Sequence, residues 1–330
     1  MKEKISFLCF CDYANVLTEY SKIINDYSDK FESRVISLVP HPFKYSLKHD
    51  FDLFFEGVIP SARKWVEGSK YVVFSEEIGH GVYETLNRVT SKLNIKLTDK
   101  KLSVWHPGTH YRTNYRAFNS NPFNVNLDKI IYAIDLYRLS PKTKKDNVLL
   151  PFKNFNIDKD VYLQKMVDKI NKNNRLFLHC PSSPEKKGSN VIQQTLNSLK
   201  GKNFNYNMFA NQPHDFIMQK KEESLFYIDQ FNVESSFGVS SVESLICGNV
   251  TMCGINNSVD GILRYGSNTD CPIINLGVTI DSLKNKFIEV MDYDKNKLIE
   301  ISENNINYLL ECYHGNSVIK YLETKIFCDE

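Results

Sequence analysis

Short apolar runs alternate with helix-periodic segments along almost the whole chain. No other feature constrains the fold as strongly. Residues 4–10, 31–39, 70–75, 101–105 and 130–136 read as strands, mostly apolar, and so do 175–179, 203–209, 224–228, 250–253 and 272–276. Between them, Val16, Tyr20, Ile23, Ile24 and Tyr27 mark one helix face, and residues 80–93 keep a helical pattern. Val191, Ile192, Thr195, Leu196 and Leu199 mark another face, and Val239, Val242, Leu245 and Ile246 a third. Residues 280–291, 298–312 and 317–327 complete the helical segments. Strand–helix alternation of this kind builds parallel sheets covered by helices, the doubly wound α/β class. The pattern breaks at the polar stretch 140–147, S-P-K-T-K-K-D-N, and resumes after V-L-L-P-F-K-N-F-N-I-D. Two similar halves joined near residue 155 are expected, and 330 residues are enough for both. Residues 40–60, aromatic and irregular, read as a long loop.

Several chemistries lack their signatures. No G-x-G-x-x-G follows the first strand, which disfavours a dinucleotide cofactor. The eight cysteines are scattered, with no C-x-x-C, no H-E-x-x-H and no zinc spacing, so no metal and no cofactor are expected. Four of them, Cys9, Cys180, Cys247 and Cys253, sit in apolar runs, where a free thiol acts as a small apolar residue. No run approaches about 20 apolar residues, and the first apolar run meets Asp12 at once, which points to a cytoplasmic chain. A net charge of +2 is too small to argue for nucleic acid. The charge is uneven: residues 1–150 hold 22 Lys/Arg against 17 Asp/Glu, and the remainder 19 against 22. Ordinary solvated charge accounts for this, with peripheral contact at the inner face of a membrane as the functional alternative.

Three loops carry the candidate chemistry. Residues 227–254 read as a strand end, a loop, a short helix opening after Phe237-Gly238, and a buried strand. That helix points free N–H groups at whatever sits beside the strand's carboxyl end, a place suited to anions. Glu243 lies one turn in, within reach of a ligand hydroxyl. Residues 180–188, C-P-S-S-P-E-K-K-G, lead from a strand to a helix near Ser189. Lys187 beside Gly188 is phosphate-site chemistry without P-loop spacing, and an exposed loop lysine is the plainer alternative. After the strand at 101–105 comes W-H-P-G-T-H-Y-R, with His106 and Arg112. His106 is as readily a structural residue, and the His106–His110 pair has no Cys or carboxylate partner in sequence to complete a metal site.

These residues resemble the donor-site signature of retaining GT-B glycosyltransferases, family four (glycosyl transferases group 1). The family pattern F-G-x-x-x-x-E-A-x-A-x-G-x-P-V stands here as F-G-V-S-S-V-E-S-L-I-C-G-N-V-T. The resemblance implies two Rossmann-like domains facing across a cleft: residues 1–152 on the acceptor side, 153–312 binding the nucleotide sugar, and a helix at 313–330 packing back on the first domain. It implies a metal-independent, retaining transfer from a nucleotide-diphosphate sugar to a glycan or lipid-linked acceptor in polysaccharide biosynthesis. His106 would be catalytic. Lys187, Gly238, Ser240 and Ser241 would hold the diphosphate, and Glu243 the ribose. Asn15, Arg112, Glu234 and Ser235 would meet sugar or acceptor, and Asn211 and Gln212 the nucleobase. Two departures stand out. Ser182 occupies the place of an arginine that shares the diphosphate with the lysine. Ser235 stands eight residues before Glu243, where the family keeps a sugar-contacting glutamate, with Glu234 one position off. These losses are the case for a non-catalytic GT-B binding or scaffold subunit. A nucleotide-sugar epimerase of the same architecture would need further acids that the sequence does not place.

Overall fold

The structure is a computed structural model. It describes residues 2–40, 45, 48–76, 82–150, 153, 155–172, 175–199, 201, 203–231, 236–255 and 270–328. The chain forms two compact units, Met1–Asn154 with Gly315–Glu330, and Phe155–His314.

In the first unit the order is β1 (Glu3–Cys9), α1 (Val16–Tyr27), β2 (Phe31–Ser37), β3 (Phe51–Asp52), α2 (Ile59–Glu67), β4 (Tyr71–Ser75), α3 (Glu84–Leu93), β5 (Lys101–His106), α4 (Thr109–Asn119), β6 (Lys129–Ala133) and β7 (Asp146–Leu149). The strands form one sheet in the order β3-β2-β1-β4-β5-β6-β7, and every pairing is parallel. The central strands are rich in apolar residues because helices cover both faces, and Tyr71–Ser75 is buried at every position.

The second unit runs α5 (Lys159–Asn171), β8 (Leu176–His179), α6 (Ser189–Ser198), β9 (Asn205–Met208), α7 (His214–Glu223), β10 (Phe226–Ile228), α8 (Val239–Ile246), β11 (Val250–Cys253), β12 (Ile274–Asn275), α9 (Ile280–Met291) and α10 (Lys295–Cys312). Its sheet is also parallel, in the order β12-β11-β10-β8-β9. The chain then returns to the first unit as α11 (Gly315–Tyr321) and a π-helical turn, Leu322–Ile326. There Phe327 packs among Phe31, Tyr71 and Phe7, with ring centroids 5.6, 5.4 and 6.5 Å away. The Tyr321 hydroxyl donates to the carbonyl of Val148 at 2.6 Å.

Several elements differ from the sequence reading. The segment 40–60 holds β3 and leads into α2, whose only buried residues are Ala62 and Val66. Two buried positions leave no readable periodicity. In α4, Tyr111 and Phe118 are buried and Asn114 departs from helical geometry, so that stretch also carries a faint pattern. The run at 130–136 ends as a strand at Ala133 and continues as a 3-10 helix, Ile134–Leu139. α5 had a readable start, since Asp158 caps the amides of Asp160 and Val161 at 2.8 and 3.2 Å.

Candidate active site

Strand order alone locates the crevice in each unit. In an open parallel sheet, ligands bind outside the carboxyl ends of the strands where the order reverses. In the second unit the reversal lies between β8 and β10, and in the first between β1 and β4.

At the end of β8, His179 is fully buried. Its Nδ1–H donates to the carbonyl of Ile228 at 2.8 Å, which leaves Nε2 to accept from the Ser189 hydroxyl at 2.8 Å. Burial brings its pKa down to about 4, so the ring is neutral at pH 7. The loop then turns at Gly188, in the left-handed region at φ +68°. A Cβ there would lie 2.1 Å from the Phe231 carbonyl oxygen, so only glycine fits. The Phe231 amide donates to the Lys187 carbonyl at 3.0 Å. The β8–α6 loop is thereby fastened to the loop after β10.

Asp229 follows β10 and is 2% exposed. Its Oδ1 accepts from Lys187 Nζ at 2.7 Å, and its Oδ2 accepts from the Gly238 amide at 3.1 Å and the Ser241 hydroxyl at 2.7 Å. Burial opposes its charge, but the Lys187 ammonium and these hydrogen bonds outweigh burial and hold the carboxyl below its ordinary range. Lys187 thus stands beside the N-terminus of α8.

Glu243 is 3% exposed, with both oxygens engaged. Oε1 accepts from His214 Nε2 at 2.7 Å and Oε2 from Lys221 Nζ at 2.7 Å. Burial again opposes the charge. The ammonium of Lys221 and the His214 hydrogen bond prevail and bring the carboxyl down to about 2. Lys221 is fully buried, and its remaining N–H groups go to the carbonyl and hydroxyl oxygens of Ser240 at 3.0 and 2.9 Å. The Ser240 hydroxyl also meets that of Tyr227 at 2.5 Å. The hydroxyls expected to hold a diphosphate, on Ser240 and Ser241, are therefore committed to partners inside the protein. In the first turn of α8 the Ser241 and Val242 amides donate to the Gly238 carbonyl at 3.0 and 3.4 Å and the Gly238 amide goes to Asp229, so the amides of Val239 and Ser240 remain for an anion.

The other end of α8 is equally fixed. The Tyr162 hydroxyl donates to the Leu245 carbonyl at 2.7 Å, and Lys169 Nζ to that of Cys247 at 2.7 Å. In the β9–α7 loop, Asn211 is left-handed at φ 55°, and Gln212, exposed, donates to the Ala210 carbonyl at 3.2 Å.

In the first unit, the turn after β1 is left-handed at three non-glycine residues, Asp12, Ala14 and Asn15, with φ of 39°, 61° and 59°. Asp12 caps α1, accepting from the amides of Leu17 and Thr18, both at 2.8 Å, and from the Thr18 hydroxyl at 2.7 Å. Asn15 is buried, and neither polar atom of its side chain has a partner among the described residues. An unsatisfied carboxamide at a switch point is a ready partner for a ligand hydroxyl. His106 ends β5 inside an aromatic cluster, with the Tyr111, Phe118 and Tyr132 ring centroids 4.4, 4.9 and 5.5 Å away. Burial, with His110 adding to it, brings its pKa down to about 3. It is a neutral imidazole at pH 7, fit for a hydrogen bond and unfit as a general acid. Arg112 is half-buried on α4. Glu234 and Ser235 lie outside the described residues.

Sequence reasoning missed Asp229, Lys221 and His214. Asp229 was visible as the residue that stops a strand and as the aspartate that precedes Phe-Gly in the donor-site signature, with no partner or role to be read from either. Lys221 and His214 lie on α7, whose exposed faces give weak periodicity, and their partner Glu243 is 22 and 29 residues away. Among the described residues, no group of three or more His, Cys, Asp or Glu is arranged to hold a metal.

Known structures share this architecture. An alpha-glucosyltransferase in complex with UDP and a 13-mer DNA containing a HMU base matches with a TM-score of 0.64 at 13% identity, covering 99% of this chain and 100% of that one. HepE of Anabaena, in complex with UDP and glucose, matches at 0.58 and 12%, covering 97% and 98%. A glycosyltransferase from Rickettsia africae matches at 0.61 and 13%, covering 98% of each chain. At such identity the likeness shows the fold, which is GT-B. No family model and no curated protein sequence matches the chain, so membership of family four is not established.

The comparisons also correct one expectation. Nucleic acid had been set aside on net charge, in favour of a glycan or lipid-linked acceptor. The same fold is solved with DNA bound, so neither the exclusion nor that choice of acceptor stands. The physical error lies in averaging: a small net charge does not describe the local field that a polyanion meets. Among the described residues, no helix is long and apolar enough to cross a membrane.

Proposed function

We propose that the chain is a glycosyltransferase that moves a sugar from UDP to an acceptor hydroxyl with retention of anomeric configuration and without a metal. The observation that carries this reading is the cluster at the β8/β10 reversal. There Lys187, the α8 N-terminus and the Glu243–His214 pair converge in one unit. One ammonium beside backbone amides suits a diphosphate. A carboxylate with two of its roughly four lone-pair sites already used still accepts from ribose hydroxyls.

In this mechanism the bond from the anomeric carbon to the diphosphate oxygen breaks, and the bond to the acceptor oxygen forms on the same face. The acceptor's proton passes to a β-phosphate oxygen, and UDP leaves. Lys187 and the α8 amides offset the charge that develops on the leaving group, where preorganised donors contribute most. Asn211 and Gln212 border the nucleobase.

Two variants test the donor site. Calorimetry with UDP should show a loss on the order of 1.5–3 kcal/mol for Lys187→Ala and for Glu243→Gln. Unchanged affinity in both variants removes the assignment. Retention is tested without knowing the acceptor, by NMR of the first sugar released when UDP-glucose is slowly hydrolysed. An α-anomer is expected, and a β-anomer overturns retention. The similar alpha-glucosyltransferase is solved with DNA containing a HMU base, so DNA containing that base is the first acceptor to offer. Turnover that persists in EDTA is expected, because the chain supplies the leaving-group charge itself.

A further inference from the structure

Lys187 is held by a carboxylate that the donor reading has not used. Asp229 reaches in two directions. One oxygen takes the Lys187 ammonium at 2.7 Å, and the other takes the Gly238 amide and the Ser241 hydroxyl at 3.1 and 2.7 Å, all within the second unit. It therefore joins the β8–α6 loop to the first turn of α8. Asp229 is 2% exposed, whereas the Lys187 side chain keeps 21% of its surface. The carboxylate sits behind the lysine, and the lysine faces outward. An ammonium has three N–H donors. Asp229 takes one, which sets the direction of the other two.

The neighbouring groups leave Asp229 no other task. The Ser241 hydroxyl is fully buried and turned to Asp229, and that of Ser240 is turned to Lys221 and Tyr227. His179 and Ser189 are occupied with each other. Asp229 thus binds Lys187 on one side and, through the Gly238 amide and the Ser241 hydroxyl, the start of α8 on the other. A flexible lysine loses rotamer entropy when it meets a phosphate, and a fixed one has already lost it.

We propose that Asp229 is a positioning residue that aligns the Lys187 ammonium with the α8 N-terminus, so that the donor diphosphate meets a preformed anion site. This rests on the donor reading above. It predicts an effect confined to ligands that carry a diphosphate and transmitted through Lys187 alone.

The test is a double-mutant cycle of Asp229→Asn and Lys187→Ala on the full chain, read by calorimetry with UDP and with uridine. Asp229→Asn is expected to weaken UDP about tenfold, to leave uridine unchanged, and to add nothing to the loss in a Lys187→Ala background. Because Asp229→Asn removes a buried charge and can impair folding, Ser241→Ala is the second variant. It deletes one hydrogen bond to Asp229 and keeps the charges, so a smaller loss with the same selectivity for UDP is expected. Additive losses, equal losses for uridine, or tighter UDP binding would each overturn the positioning role. Failure of the wild-type chain to bind UDP overturns the donor reading and this proposal with it. Unaltered UDP affinity in Asp229→Asn, with wild-type binding intact, overturns the positioning role alone.

Discussion

At the scale of single residues, the second unit buries two carboxylates against cations, Asp229 with Lys187 and Glu243 with Lys221, and pH tests this directly. Glu243 has its carboxyl drawn down to about 2 from an ordinary 4.5. An acid depressed on folding contributes stability above its unfolded value and loses it as pH falls through the folded one. For Glu243 the window runs from about pH 4.5 down to about pH 2 and is worth about 3 kcal/mol. Glu243→Gln should remove that part of the acid-side loss, as read by urea unfolding from pH 5 downward. Lys221→Met should do more harm, since it leaves a buried carboxylate without its cation and costs about 3–5 kcal/mol. Asp12 has the opposite sign. Burial lifts its carboxyl to about 6 from 3.8, against the opposing hydrogen bonds from Thr18 and Leu17. Its stabilising contribution is complete below about pH 3.8 and is lost as pH rises through about 6. Asp12→Asn should therefore flatten the fall in Tm between pH 4 and pH 7. An unchanged fall would show that Asp12 is not its source.

At the scale of elements, the loops that matter are fixed by backbone as much as by side chains. Gly188→Ala forces a Cβ onto the Phe231 carbonyl oxygen at a left-handed position. It should cost about 2 kcal/mol or more in stability. UDP affinity should fall with it, because Lys187 is the neighbouring residue. A variant with wild-type Tm and wild-type UDP affinity would mean that the loop relaxes freely. The sequence disclosed α8 and β11 to the residue, because each buries a regular set of apolar positions. It disclosed α9 for the same reason, reinforced by a Thr279–Ser282 capping box. It did not disclose α2 or α4, whose buried faces are too narrow to show a period. Periodicity reports burial, and helices that bury little leave little trace.

At the scale of the whole molecule, the first unit is closed by the far end of the chain. Phe327 lies among Phe31, Tyr71 and Phe7, all buried. Phe327→Ala should cost about 3–5 kcal/mol. The loss should fall on one unit. Hydrogen exchange should quicken in β1, β2 and β4 and leave β8, β10 and β11 protected. Equal acceleration in both units would refute the assignment of this contact to the first unit. Solved glycosyltransferases share the architecture at 12–13% identity, so the fold tolerates near-complete change of side chains. What it requires is the alternation of buried strand and half-buried helix, and that alternation was legible from the start. The apolar period, the Phe237-Gly238 turn, Lys187 beside Gly188, and Glu243 one turn into its helix could all be read along the chain, because each is a local pattern. Tertiary structure alone decided which groups those residues face. It set Asp229 against Lys187, gave Glu243 to Lys221 and His214, and turned the Ser240 and Ser241 hydroxyls inward. The physical reason is that a hydrogen bond is set by distance in space. The parallel crossovers bring together groups 22 to 42 residues apart, which no pattern along the chain records.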